Sequence, residues 1–303
     1  MDAKAHSLPS TFSAIVNLRK TVREFLEAAA RREHRAAELR YGAEIRSNPT
    51  FLNHLEQLAK SREVGETEIG YSLDFSSRTL KPLVDQNGAE RDTVVCTVAF
   101  GEDYRRAVRL CLDRQRAYCR QRGYDYAQLH QPPSRLHRHP SWHKIPLVHA
   151  LVRRGYRKIF FIDADALITN PEITLDAFFE RLRLEKKAIH LAEDDDGVNM
   201  GVFFMNNSPD AIRLLDLVWL YDLGAHRGNW EQAALKDLLN QYPQVRQVVS
   251  IAAAATAFNS FPAERASLCH AIQENEWKPG DFICHFSGIP SPILEKLIAQ
   301  YVA

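Results

Sequence analysis

KIFFIDADAL (158–167) places two aspartates, Asp163 and Asp165, directly after an apolar run that is typical of a strand buried on both faces. Two carboxylates at this spacing, at the carboxyl end of a buried strand, can point into the crevice where open α/β sheets bind ligands. Burying two like charges together is costly unless a cation neutralises them. The motif therefore indicates a site for a divalent metal or a phosphate, although a solvated turn gives the same pattern.

The sequence on either side of this stretch alternates between strand and helix patterns. Upstream lie a strand pattern in VVCTVAF (94–100), helical spacing from 104 to 118, a short strand pattern in YDYAQL (124–129) and helical spacing in 143–155. This βαβαβ order predicts an α/β fold with a mostly parallel, Rossmann-like sheet flanked by helices. Downstream, strands are predicted near 188–193, 201–206, 245–251 and 282–286, and helices over 210–221, 230–240 and the C-terminus.

The N-terminal part of the chain has a different character. Residues 12–62 are rich in Ala, Glu, Arg and Leu with helical spacing, so we predict a helical extension over residues 1–68. Residues 69–91 contain turn-forming residues and no sustained period, which is typical of a connector. The main domain is then predicted to cover residues 92–303.

Composition and charge exclude several classes of protein. The 303 residues include 39 Lys and Arg against 38 Asp and Glu, a formal charge of +1, which argues against nucleic acid as a main partner. Five scattered cysteines contain no C-x-x-C pair, and this favours a reducing compartment. Neither a secretory signal nor an apolar run near the ~20 residues of a transmembrane helix is visible. We therefore expect a cytoplasmic location, as a bacterial protein or as a soluble piece of an anchored one, with no transmembrane segment.

Two kinds of enzyme use a D-x-D pair after a strand. Haloacid-dehalogenase-like phosphatases use D-x-D-x-T, but Leu167 stands here at the Thr position, and a complete βαβα unit precedes the motif. In nucleotide-sugar transferases the D-x-D follows a nucleotide-binding unit, as it does in this chain. The phosphatase, or another nucleotide-diphosphate enzyme, remains the alternative.

Five segments occur in an order that resembles a known family. They are SWHKIPLVHALVRRGYRKIFFIDADALITN (141–170), NMGVFFMNNS (199–208), WEQAAL (230–235), NSFP (259–262) and ICHFSG (283–288). Together they resemble the galactosyl-, xylosyl- and mannosyltransferases of glycosyltransferase family 34, over residues 92–288. The resemblance implies a GT-A fold and Mn²⁺ as cofactor, with Mg²⁺ as the alternative. It also implies a UDP- or GDP-linked hexose or pentose as donor, an acceptor hydroxyl on a glycan, glycoside or protein, and retention of anomeric configuration.

The resemblance assigns roles to the residues of these motifs. It implies that Asp163 faces the ribose and the metal, and that Asp165 and His285 ligate the metal. It places Gln232 beside the anomeric carbon, with Glu231 orienting the acceptor or the sugar hydroxyls. Without the resemblance, Glu231 and Gln232 could equally form an acidic first turn of a helix.

Further residues are implied to bind the donor. Each of them could instead be an ordinary core or helix-surface residue. The resemblance assigns Thr97, Ala99 and Phe100 to the base pocket. It assigns Lys144 to a contact with the diphosphate or the sugar, and Asn199 and Gly201 to the border of the donor sugar.

One departure from the family pattern bears on activity. Relatives often carry a basic residue shortly after H-F-x-G, but this chain reads HFSGIPSP and has no cation before Lys296. A glycosyltransferase-like module that binds nucleotide sugars without turnover therefore remains a second alternative. The acidic run 194–196, directly before Gly197, is interpreted as a solvated turn.

Overall fold

The computed structural model describes residues 73–74, 92–130, 139–194, 197–221, 230–266 and 275–302. The predicted helical extension over residues 1–68 lies outside the described residues, and so does most of the connector. The proposed boundaries of the extension, the connector and the main domain therefore stay predictions.

A seven-stranded sheet forms the centre of the described structure. Its strands, in spatial order, are β1 (Leu73–Asp74), β3 (Asp125–Leu129), β2 (Thr93–Val98), β4 (Lys158–Ile162), β7 (Gly197–Asn206), β6 (Ile189–Asp194) and β8 (Val249–Ile251). Strands β3, β2 and β4 are parallel, β7 runs antiparallel between β4 and β6, and β8 is parallel to β6. The sheet is mostly parallel, as predicted. Strand β1 comes from the predicted connector and adds an antiparallel edge to β3.

Helices cover the two faces of the sheet. They are α1 (Glu102–Ala107), α2 (Arg109–Arg122), α3 (Lys144–Arg153), α4 (Asp176–Glu185), α5 (Pro209–Leu220), α6 (Trp230–Gln241), α7 (Pro243–Val248), α8 (Ala263–Ala266) and α9 (Ser291–Gln300). Two short 3₁₀ segments, Pro140–His143 and Ala255–Ala257, complete the regular structure of the described residues.

The structure corrects the sequence prediction at two helices. The strand predicted over 245–251 begins only at Val249, because Pro243 starts helix α7 at a position where its missing N–H costs nothing. Helix α4 was not predicted. Its buried residues Phe179 and Leu182, with Leu175 directly before its first residue, follow helical spacing, but they are interrupted by charged side chains.

An aromatic cluster fills the core between the sheet and helix α4. The ring centroid of Phe204 lies 4.6 Å from that of Phe160 and 4.4 Å from that of Phe178, with nearly parallel ring planes. Phe258 meets the Phe204 ring edge-on at 5.1 Å. Large stacked rings of this kind contribute both buried apolar area and specific geometry, so this cluster fixes the separation between helix α4 and the sheet.

A small second sheet connects the D-x-D segment to the C-terminal part of the chain. Strands β5 (Ala166–Ile168) and β9 (Ile283–His285) are antiparallel, with Ala166 opposite His285. This register brings the histidine of ICHFSG next to Asp165, although 120 residues separate them along the chain. The sheet pairing thus assembles one site from two distant motifs.

No helix in the part of the chain that the structure describes combines the length and apolar character needed to cross a bilayer.

The aromatic cluster gives a direct stability test. Replacing Phe204, which is fully buried between other rings, by Ala should lower the free energy of unfolding by about 3–5 kcal/mol, because a large cavity replaces its contacts. Leu184→Ala on helix α4 is the matched control, since that side chain is 66% exposed and its loss should change stability by under about 0.5 kcal/mol. Urea unfolding of both variants measures the difference, and equal stabilities would contradict the assigned core.

Candidate metal and donor site

Three potential metal ligands converge where strand β4 ends. One ligand atom each from Asp163, Asp165 and His285 lies within 4.8 Å of the others. The Nε2 atom of His285 is 3.5 Å from Oδ1 of Asp165 and 3.9 Å from Oδ2 of Asp163. The structure therefore brings together the three residues that the sequence analysis assigned to a metal.

The orientation of His285 fits a metal ligand. Its Nδ1 lies 2.9 Å from the side-chain oxygen of Asn259 and donates to it, and this pairing directs Nε2 at the two carboxylates. Nε2 is buried and has no hydrogen-bond partner. A buried imidazole nitrogen without a partner is unfavourable unless a ligand completes it, so the residues present fit a bound cation.

Gly201 allows the cluster to pack against strand β7. A Cβ atom at this position would lie 2.3 Å from Cε1 of His285 and 2.7 Å from Oδ2 of Asp163. These separations are far below van der Waals contact, so only glycine leaves room for both side chains. Gly201 therefore lies against the cluster, its role at the donor sugar stays a prediction, and its N–H donates to the side chain of Asn199 at 2.8 Å.

Lys144 supplies the positive charge of the site. The side chain is buried, and its Nζ donates to the carbonyl oxygen of Met200 at 2.9 Å. Nζ also lies 2.8 Å from Oε1 of Glu231 and 3.5 Å from Oδ1 of Asp163. Helix α3, strand β7 and helix α6 therefore meet at one ammonium group.

The charges in the cluster shift one another's pKa values. Burial opposes the charge of Lys144, but Asp163 and Glu231 outweigh that effect and its pKa lies above the usual value. Burial raises the pKa of Asp163 to about 6, with Asp165 adding to the effect and Lys144 opposing it. Burial also acts on Asp165, yet the attraction of the adjacent His285 lowers the pKa of that carboxyl.

Gln115 fixes the turn that carries the two aspartates. This fully buried side chain on helix α2 donates from Nε2 to the carbonyl oxygens of Asp163 and Ala166, both at 3.0 Å. Its Oε1 accepts from the hydroxyl of Tyr126 at 3.3 Å. The sequence analysis missed Gln115, although a polar residue among Cys111, Leu112 and Tyr118 on an apolar helix face was a visible signal.

The two residues assigned to the anomeric centre lie at the start of helix α6. Glu231 is buried and uses Oε1 for Lys144, while its Oε2 has no hydrogen-bond partner. Gln232 accepts from the backbone N–H of Met200 at 3.1 Å through Oε1. Both residues are thus tied to the strand and the lysine that border the metal cluster.

Asp194, the first residue of the acidic run 194–196, differs from its prediction as part of a solvated turn, whereas residues 195 and 196 lie outside the described residues. The side chain of Asp194 is only 2% exposed, accepts from Nδ2 of Asn199 at 2.7 Å and pairs with Arg265 at 3.2 Å. The reason is that strand β6 extends to Asp194, so this residue faces Gly197 across the ladder instead of lying in a loop. Asp194 and Arg265 were not among the predicted site residues.

The residues of the predicted base pocket are largely buried. Thr97 and Ala99 are fully buried, and Ala99 packs in the apolar cluster beneath Ala164 of the D-x-D turn. Oγ1 of Thr97 has no hydrogen-bond partner. Phe100 is partly buried, and its ring lies 5.0 Å from that of His143 in an edge-on arrangement. The contacts of these residues with a nucleotide stay a prediction.

Two comparisons of sequence identify relatives of the chain. The model of the galactosyl transferase GMA12/MNN10 family matches residues 89–190 and 182–291. A probable alpha-1,2-galactosyltransferase from Schizosaccharomyces pombe is 26% identical over 187 residues, which cover 48% of this chain and 51% of that relative. This chain therefore spans about half the length of that relative.

Solved structures resemble the fold. A glycosyltransferase involved in the glycosylation of the major capsid of PBCV-1 aligns with a TM-score of 0.55 and 13% identity, covering 69% of this chain and 98% of that one. Mouse xyloside xylosyltransferase 1 aligns with a TM-score of 0.44 and 12% identity, covering 66% and 100%. The first likeness shows the fold alone, and together with the mostly parallel sheet it confirms the predicted GT-A fold.

The role of Gln115 can be tested without any ligand. Gln115→Leu keeps much of the volume but leaves two buried carbonyl oxygens without their donor, which should cost about 1–3 kcal/mol for each of them. Gln121→Leu, on the same helix, is the control, because its amide reaches Glu172 at the protein surface. Chemical denaturation compares the two variants. Similar losses of stability would mean that the buried hydrogen bonds do not hold the turn.

Proposed function

Because the chain belongs to the galactosyl transferase GMA12/MNN10 family, we propose that it transfers a hexose or pentose from a nucleoside diphosphate sugar to an acceptor hydroxyl. The transfer depends on a divalent metal ion and retains the anomeric configuration. The observation that carries the proposal is the convergence of Asp163, Asp165 and His285 at the carboxyl end of a parallel strand, where α/β sheets bind ligands.

The metal is Mn²⁺, with Mg²⁺ as a possible substitute. Asp163, Asp165 and Nε2 of His285 would hold it, and a mixed set of carboxylate and imidazole ligands suits a transition metal better than Ca²⁺. When bound, the ion supplies positive charge to the diphosphate of the donor. Asn259 keeps the imidazole in the tautomer that offers Nε2, so its side chain is a positioning group.

Glu231 recognises a hydroxyl group of the sugar or of the acceptor. Its Oε1 is committed to Lys144, whereas Oε2 is buried without a partner and can accept one more hydrogen bond. Because Lys144 fixes the carboxylate, the accepting oxygen is held in a defined position. This arrangement favours orientation of a hydroxyl over proton exchange with solvent.

Gln232 lies beside the anomeric carbon and stabilises its developing positive charge. Its Oε1 already accepts from Met200, which fixes the amide, and a carbonyl oxygen retains a second lone pair for the reacting centre. A fixed dipole needs no reorganisation when the charge develops. The hydrogen bond to Met200 thus supports an electrostatic role for Gln232.

The first donor to test is UDP-galactose. The name of the matched yeast relative, a probable alpha-1,2-galactosyltransferase, supports this choice, while GDP-linked sugars form the second series. The acceptor is a hydroxyl of a glycan, glycoside or protein.

The phosphatase alternative is less well supported by the site. At the position where such phosphatases need a hydroxyl, Leu167 is buried and pairs with Cys284 across the β5–β9 ladder. The remaining alternative is a module that binds the nucleotide sugar without turnover. Release of free or transferred sugar from the donor distinguishes an enzyme from such a module.

Removal of a metal ligand tests the metal dependence. Asp165→Ala and His285→Ala should each reduce Mn²⁺-dependent donor binding and transfer by at least about 10- to 100-fold, because each removes a coordinating atom. Asp210→Asn on the exposed side of helix α5 is the matched control and should behave as the wild type. Calorimetry with UDP and Mn²⁺ measures binding, and unchanged affinity in both ligand variants would refute the metal site.

Stereochemistry and the role of Gln232 form a second test. An α-linked donor should yield an α-linked product, which the anomeric proton signal in NMR reports. Gln232→Ala should lower turnover by about 10²- to 10³-fold with little change in donor affinity, because it removes a group that acts on the transition state. Gln241→Ala, at the far end of the same helix, is the control. A β-linked product would overturn the retaining mechanism.

A further inference from the structure

Arg265 is a cation whose neighbours connect it to the metal cluster, and it lies outside every motif used in the sequence analysis. It belongs to the short helix α8, and its side chain is 14% exposed. Its guanidinium donates to the hydroxyl of Ser287 and to the carboxylate of Asp194, and it lies 4.0 Å above the ring centroid of Phe261. A planar guanidinium held on three sides has a fixed orientation.

These three neighbours of Arg265 are each linked to the proposed metal site. Ser287 follows His285 by two residues, and the ring of Phe261 lies 5.8 Å from the imidazole of His285. Asp194 accepts from Asn199, whose side-chain oxygen accepts from the N–H of Gly201. The guanidinium is therefore connected to the cluster through the C-terminal strand, through an aromatic ring and through strand β7.

Lys144 adds little to the positive charge that a bound metal ion would supply to the departing diphosphate. When the bond between the sugar carbon and the β-phosphate oxygen breaks, its electron pair remains on that oxygen. The acceptor oxygen then bonds to the sugar carbon, and its proton passes to the leaving phosphate. Lys144 is already committed to Glu231, Asp163 and a backbone carbonyl, so it has little capacity left for the diphosphate.

We propose that Arg265 binds the diphosphate of the donor and stabilises it as the leaving group. The proposal rests on the proposed function for the identity of the ligand. Arginine matches phosphate geometry because its N–H donors form a planar fork. The segment after His285, FSGIPSPILE (286–295), contains no Lys or Arg, and Arg265 reaches Ser287 within it from another part of the chain.

Asp194 holds the guanidinium in place before the donor binds. Its carboxylate also accepts from Asn199. Asp194→Asn removes the negative charge that competes with the diphosphate for Arg265, and the side-chain oxygen of the new amide can still accept a hydrogen bond. Substitution of Arg265 should therefore weaken diphosphate binding, whereas Asp194→Asn should retain or increase it. If the ion pair only stabilises the fold, the two substitutions should have similar effects.

The experiment compares nucleotides with one and two phosphates. With Mn²⁺ present, Kd is measured by calorimetry for UDP and UMP, and for GDP and GMP, against the wild type, Arg265→Gln, Arg265→Lys and Asp194→Asn. We expect Arg265→Gln to weaken diphosphate binding by about 10- to 100-fold and monophosphate binding by less than about threefold. Arg265→Lys should recover part of the loss, and Asp194→Asn should retain or increase diphosphate affinity.

Arg183→Gln on the exposed face of helix α4 is the matched control and should leave every Kd unchanged. Equal losses for mono- and diphosphates, or a diphosphate Kd of Arg265→Gln within threefold of the wild type, would overturn the assignment. If Arg265→Gln does not fold, Asp194→Asn decides, because weaker diphosphate binding in that variant contradicts the proposal.

The same measurements separate this proposal from the proposed function. If the wild type binds a nucleoside diphosphate with the expected dependence on Arg265 but transfers no sugar, the assignment of Arg265 holds and the transfer activity is wrong. If the wild type binds neither UDP nor GDP, both proposals are wrong.

Discussion

Carboxylates lie close together at the end of strand β4, and the rest of the site must offset their mutual repulsion. Asp163 and Asp165 sit close together, and Glu231 approaches from helix α6, while the buried ammonium of Lys144 is the cation between Asp163 and Glu231. A buried charge is tolerated when it is paired and hydrogen-bonded, and Met200 completes the coordination of this ammonium. The position of helix α6 on the sheet therefore depends on the same ion pairs that hold the carboxylates.

Around this charged centre, a layer of polar side chains positions Asp163, Asp165 and His285. Gln115 fixes the backbone of the D-x-D turn, Asn259 forms a hydrogen bond with Nδ1 of His285, and Asp194 contacts both Asn199 and Arg265. These supports come from a helix, a loop and a strand that are far apart along the chain. A site built in this way is preorganised, because each ligand has its own partner before any substrate arrives.

The sequence predicted the alternation of strands and helices up to β4 and the position of Asp163 and Asp165 at its end, because long apolar runs and the D-x-D spacing are local signals, whereas His285 was named only through the family resemblance. Helix α4 was missed because charged residues interrupt its apolar face, and helix α7 was mistaken for a strand because Val245, Val248 and Val249 favour β-structure. Arg265 and Asn259 could not be assigned from the chain, because their roles depend on contacts with residues distant in sequence. Gln115 was accessible to sequence reasoning, since it interrupts an otherwise apolar helix face.

Because strand β5 pairs with strand β9, the site can assemble only after the segment that contains β9 has been synthesised. During synthesis, the two aspartates leave the ribosome long before the segment that carries His285, and contacts of such large sequence separation close slowly. Until that segment docks, the acidic turn lacks its packing against the apolar side chains of the segment, which include Cys284 and Phe286. The turn is then exposed on the nascent sheet. A chain stopped before residue 283 would carry the aspartates and Lys144 but could not close the cluster, so translation of the segment with strand β9 limits when these side chains can first meet.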